Sequence, residues 1–131
     1  KRLLVFSAIG LAALFLIAPC LHAQRTVYWK GGTPGSESNW NVPGNWSHGA
    51  VPDAFCDVVI PDVSTRTGVY PVLSQKVVVN NLTLESGAAL VVQTGGRLEV
   101  EGTLACYGLP NLDVRGLLVL KNDAQVAGLF P

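Results

Sequence analysis

From Leu82 to Val126 the chain repeats apolar residues in pairs, each pair flanking one intervening residue: Leu82 and Leu84, Leu90 and Val92, Leu98 and Val100, Leu104 and Cys106, Leu112 and Val114, Leu118 and Leu120, then Val126. Each pair reads as a very short β-strand with two side chains on one face and one on the other. The first members of successive pairs lie 8, 8, 6, 8, 6 and 8 positions apart, so any three consecutive steps sum to 20 or 22. That recurrence predicts an all-β fold, a right-handed parallel β-helix (solenoid) with three short strands and about 22 residues per coil. The vertical registers expected are Leu82 over Leu104 over Val126, Leu90 over Leu112, and Leu98 near Leu118. Counting back 22 from Leu82 places Ile60 beneath it. A β-sandwich is the structural rival, since short strands at this spacing also suit it; the recurrence at 22 favours the solenoid.

The residues between the pairs fit corners. Ser86 and Gly87, Gly95 and Gly96, Gly102, Gly108, Gly116, and Lys121 to Asp123 punctuate the ladder, and Asn80 and Asn81 precede it at a tight turn. Further upstream, Cys56 to Ile60 reads as a first strand with Cys56, Val58 and Ile60 inward, bounded by Pro61. Residues 62–70 read as a loop, after which Val72 and Leu73, then Lys76 to Val79, return to the core. Outward positions of the ladder are Thr83, Val91, Glu99, Ala105, Asp113, Val119 and Ala127.

Residues 25–55 lack regular periodicity and place Tyr28, Trp29, Trp40 and Trp46 among many glycines and prolines. They are expected to form an N-terminal cap whose aromatic rings seal the first coil of residues 56–131. The competing expectation is a carbohydrate-binding platform at Trp29, Trp40 and Trp46, because flat rings stack on sugar faces. Exposed, roughly coplanar rings would indicate the platform; rings buried against Ile60 would indicate the cap.

Ahead of this, residues 1–24 read as a secretory signal peptide: Lys1 and Arg2, an apolar run from Leu3 to Ala18, a break at Pro19, and cleavage after Ala23 or Gln24. The runner-up is an uncleaved membrane anchor, which would need about 20 apolar residues. The expected address is secreted or cell surface, with membrane contact only during export. The whole chain carries nine Lys or Arg and nine Asp or Glu; without residues 1–24 the balance is about −2, with charges scattered singly. Nothing provides the basic stripe that nucleic acid requires.

Candidate chemistry is sparse. His48 would be the one histidine of the processed chain and lacks partners at triad or zinc spacing. Glu99 and Asp113 are the outward carboxylates a glycosidase could use, but they fall on different strands of the coil. No cofactor or metal site is written, and no catalysis is expected. Asn45-Trp46-Ser47 and Asn81-Leu82-Thr83 match the glycosylation acceptor pattern, a short motif that often occurs by accident. Cys56 and Cys106 are expected as free, buried thiols, because the register sets them two rungs apart with a lateral offset, beyond disulfide reach.

The stretch from Trp29 to Val126 resembles the N-terminal and early-coil segments of large secreted Gram-negative surface proteins with repetitive β-helices. The residues that carry the resemblance are Trp40, Asn45-Trp46, Gly49, Pro52, Asp57-Val58-Val59-Ile60-Pro61, Tyr70-Pro71, Val79 to Leu84, Ser86-Gly87-Ala88 and Gly95 to Gly102. The resemblance implies an adhesin-like or stalk module without catalysis of its own; a carbohydrate-binding module, or the non-catalytic part of a polysaccharide-active β-helix enzyme, is the alternative. Extracellular glycans and self-association through an open end are the partners it suggests. The last residues, Gly128 to Pro131, fall within a coil and read as truncation of a longer protein.

Overall fold

The computed structural model describes residues 24–108 and 111–121, and the backbone of residues 126–127. The signal-peptide expectation therefore falls almost wholly outside the described residues. Among these residues no helix is long and apolar enough to cross a membrane.

The fold is all-β and its paired strands are parallel. Eleven strands are described: β1 (Arg25–Tyr28), β2 (Cys56–Ile60), β3 (Val72–Leu73), β4 (Lys76–Val79), β5 (Asn81–Leu84), β6 (Ala89–Val92), β7 (Arg97–Val100), β8 (Leu104–Cys106), β9 (Asn111–Val114), β10 (Leu117–Leu120) and β11 (Val126–Ala127). They form a five-stranded sheet of order β1-β2-β5-β8-β11 and two three-stranded sheets, β4-β7-β10 and β3-β6-β9. From β2 onward, each strand pairs with the one three elements later, so consecutive strands lie in different sheets.

The ladder registers follow the spacing of the apolar pairs. Leu82 lies opposite Leu104 and Leu104 opposite Val126, Leu90 opposite Leu112, and Leu98 opposite Leu118. Strands of two to five residues could not hold together alone; here each borrows hydrogen bonds from its neighbours and turns its apolar residues into a shared interior. Val58, Ile60, Leu73, Val77, Val79, Leu82, Leu84, Leu90, Val92, Leu98 and Val100 are all buried in one core. A fully buried Leu or Val contributes ~1.5 to 3 kcal/mol relative to exposure, before the entropy of ordering the chain.

Two positions differ from the spacing argument. Leu82 pairs with Val58 and Leu84 with Ile60, a step of 24 residues where 22 would have set Ile60 beneath Leu82. The loop after Pro61 accounts for the added length: Val63 is buried, its N–H donates to the Tyr70 hydroxyl at 3.1 Å, and that hydroxyl donates to Asp62 Oδ1 at 2.9 Å. The loop is thus packed against the core instead of being trimmed to the minimum turn.

The second difference lies in residues 25–55, which contain a strand. Arg25 to Tyr28 pair in parallel with Cys56 to Val59, with Val27 opposite Val58 and buried. The chain's own return covers the Tyr28 end of the strand's far edge. Ser47 N–H donates to Tyr28 O at 2.9 Å, Ser47 Oγ accepts from Tyr28 N–H at 3.0 Å, and Trp29 bridges antiparallel to Trp46. An open edge would offer unpaired donors and acceptors to other chains.

Cys56 and Cys106 are free and buried. Cys106 stands opposite Leu84, and Leu84 opposite Ile60, so two rungs and four positions separate the thiols. Burial pushes the Cys106 thiol above its ordinary value, which suits a small hydrophobe better than a nucleophile.

Candidate functional site

The tryptophans come together at the β1 end of the five-stranded sheet. β1 delivers Trp29, the 3-10 turn Pro43–Asn45 delivers Trp46, and Trp40 N–H donates to Val72 O at 3.2 Å, tying its segment to β3. All three rings are buried, at no more than 1% exposure. Trp29 and Trp46 meet edge to face with centroids 5.0 Å apart and planes at 79°, and Trp40 and Trp46 at 4.8 Å and 67°. Edge-to-face contact sets the positive rim of one indole against the negative face of the next. The expectation of a stacking platform at Trp29, Trp40 and Trp46 is corrected by this geometry: a sugar needs exposed, coplanar faces, and these rings pack with Ile60 in the hydrophobic core.

The polar framework around the rings is nearly complete. Trp29 Nε1 donates to Val69 O at 2.8 Å and Trp46 Nε1 to Trp40 O at 2.7 Å, while the Trp40 indole N–H has no hydrogen-bond partner among the described residues. Asn45 is fully buried and uses its whole amide: Nδ2 donates to Ser36 O at 2.8 Å and Asn39 O at 2.9 Å, and Oδ1 accepts from Thr33 N–H at 2.9 Å. An amide so engaged is closed to glycan attachment in the folded chain. Gly31 closes the same region with φ at +74°, and a Cβ there would meet Val69 O at 2.9 Å.

A second polar cluster lies on the outward face of β4-β7-β10. Alternation turns Leu98 and Val100 inward and Glu99 outward, with Val78 and Val119 opposite it on the neighbouring strands. Glu99 is nonetheless only 4% exposed, because basic side chains close over it. Arg97 Nε donates to Glu99 Oε2, Lys76 Nζ lies 3.8 Å from the same oxygen, and Lys121 Nζ lies 3.5 Å from Oε1 and 3.7 Å from Glu101. The Arg97 hydrogen bond holds the Glu99 carboxyl below its ordinary value, with burial opposing it and the charges of Lys76, Arg97 and Lys121 adding to it.

Along the five-stranded sheet runs a further polar row. Asp57 Oδ1 accepts from Asn80 Nδ2 at 2.9 Å and Asn81 Nδ2 at 3.1 Å, and Asn81 Oδ1 accepts from Thr103 N–H. The two asparagines expected merely to tolerate a corner thus tie three successive rungs together.

The structure does not assemble a catalytic centre from the remaining candidates. Asp113 lies in β9, on a different sheet from Glu99, and is paired with Arg115 at 2.9 Å. His48 is exposed with Nδ1 3.1 Å from Ser47 Oγ. Among the described residues no three His, Cys, Asp or Glu side chains converge as metal ligands would. Alternation missed the convergence on Glu99, since it reports which face a side chain leaves by and not what folds over it.

Comparison with known proteins returns one family: residues 28–129 match a family described as a domain of unknown function. No curated protein and no solved structure matches the chain.

Proposed function

We propose, for a chain that belongs to the domain family DUF8693, a structural role outside the cytoplasm: a right-handed parallel β-helix of about 22 residues per coil, sealed at one end by a Trp-rich cap, serving as a stalk or adhesin-like module without catalysis of its own. The observation that carries this reading is the pairing of each strand from β2 onward with the one three elements later, which makes every rung a repeat of the last. Right-handedness follows from the strong preference of parallel crossovers. Support for the cap comes from the buried Trp29, Trp40 and Trp46 and from the return segment on β1. Support for an extracytoplasmic address comes from the composition of residues 1–24, and the resemblance to secreted Gram-negative surface proteins agrees with it.

Duplicating residues 82–103 tests the repeat. In a solenoid the extra coil adds one strand to each sheet, so the longer chain should fold with a single cooperative transition near that of the parent. Loss of the transition would sink the coil reading. Protease treatment of intact source cells tests the address, since a surface stalk should be degraded while cytoplasmic markers survive.

A further inference from the structure

We infer that the outward face of β4-β7-β10 is a binding site for an acidic polysaccharide, a sugar polymer bearing carboxylate or sulfate groups, held by Lys76, Arg97 and Lys121. The arrangement contains more positive charge than the fold needs. One carboxylate is satisfied by one cation, yet three converge on Glu99. Lys76 and Arg97 stand directly opposite one another on neighbouring strands, where like charges are destabilising. Their shared counter-ion is Glu99, and Lys121 is shared between Glu99 and Glu101, so the cluster keeps one net positive charge.

Donor capacity is also left over. Arg97 engages Glu99 through Nε in its hydrogen bond and has its side chain 42% exposed, so its terminal amino groups can still fork onto a carboxylate or sulfate. The Lys76 side chain is 64% exposed and that of Lys121 40%. Val78 and Val119 flank Glu99 on either side and supply an apolar floor. Cations beside an apolar floor match a sugar ring, whose C–H face lies on the floor while its acidic group reaches the cations. A low-dielectric floor also strengthens the attraction. The choice of a polysaccharide over other polyanions rests on the extracytoplasmic reading above.

Calorimetric titration of the full chain with heparin, alginate, neutral dextran and free sulfate tests the inference. Heparin or alginate should bind, weakening as salt rises, and dextran should not. The Lys76→Gln/Lys121→Gln variant, altered at exposed positions and checked by its melting curve, should bind about tenfold more weakly. Glu99→Gln removes the competing carboxylate and, if its melting curve shows it folded, should bind more tightly. Equal binding of dextran, no binding of either acidic polymer, sulfate binding as tightly as polymer, or an unchanged double variant would each overturn the site. Each of these outcomes leaves the coil-duplication result untouched, so the two readings fail separately.

Discussion

Leu82 and Thr83 are adjacent, yet the fold treats them oppositely: Leu82 is buried in the core column between Val58 and Leu104, while Thr83 leaves by the outer face between Val59 and Ala105. Leu82→Ala should cost ~2 to 5 kcal/mol through the cavity it leaves, whereas Thr83→Ala should stay below about 1 kcal/mol. Urea titration of both variants measures the difference, and equal losses would contradict the register. Glu99 gives a second contrast. Its folded pKa is lowered, so its contribution is present above the unfolded value and is lost as pH falls through the folded one. Acid unfolding followed by circular dichroism should therefore show stability falling below about pH 4.5, the ordinary carboxylate value, with a flatter acid limb in Glu99→Gln. Asp62 has the same sign, lowered by hydrogen bonds from Ser64 and Tyr70, so it keeps some acid sensitivity in that variant.

Strands were the most legible level. Alternation sets the face of a residue, spacing sets its rung, and both can be read from Leu82 to Leu120 without coordinates. Strand β1 was not legible because four residues, Arg25 to Tyr28, are too few to show a period beside the glycine-rich chain that follows. The 24-residue step from Val58 to Leu82 is not legible in the sequence because a loop of any length can sit at a corner, and nothing in residues 62–70 announces that Val63 packs inward. The fate of Glu99 was hidden for another reason: it depends on Lys76 and Lys121, each more than 20 positions away. Elements also differ in how firmly they are held. β7 lies between β4 and β10, whereas β9 and β10 each have a partner on one side only among the described residues. Amide exchange should be slowest in β5, β6 and β7 and faster in β9 and β10. Uniform protection through Leu120 would show that the last rung is covered.

At the scale of the whole molecule the two ends are unlike. At the β1 end Trp29, Trp40 and Trp46 are buried and Ser47 hydrogen-bonds Tyr28. At the other, Val114, Leu117 and Leu120 are large hydrophobics more than a third exposed, beside the edges of β9 and β10 that have no partner among the described residues. Apolar side chains next to unpaired strand edges favour association. The chain should therefore self-associate with rising concentration in sedimentation experiments, and Leu120→Lys should shift it toward monomer. An unaltered association constant in that variant would place the contact elsewhere. The asymmetry was partly legible, since the tryptophans announce a seal and the ladder announces none; which rings face inward needed the fold.

The near-constant separation of paired residues also has a kinetic meaning. Leu82 and Leu104, Leu90 and Leu112, and Leu98 and Leu118 are all 20 to 22 positions apart, so these pairings close loops of nearly one length. Even the longest separation between paired strands, Arg25 onto Cys56 at 31 positions, exceeds the others by only a few tenths of a kcal/mol in loop entropy. No rung is therefore much harder to close than the next. The order of assembly falls to whichever segment first gathers enough apolar surface, and the three-tryptophan end, with the largest side chains in the molecule, is placed to act as the seed from which the remaining rungs zip on.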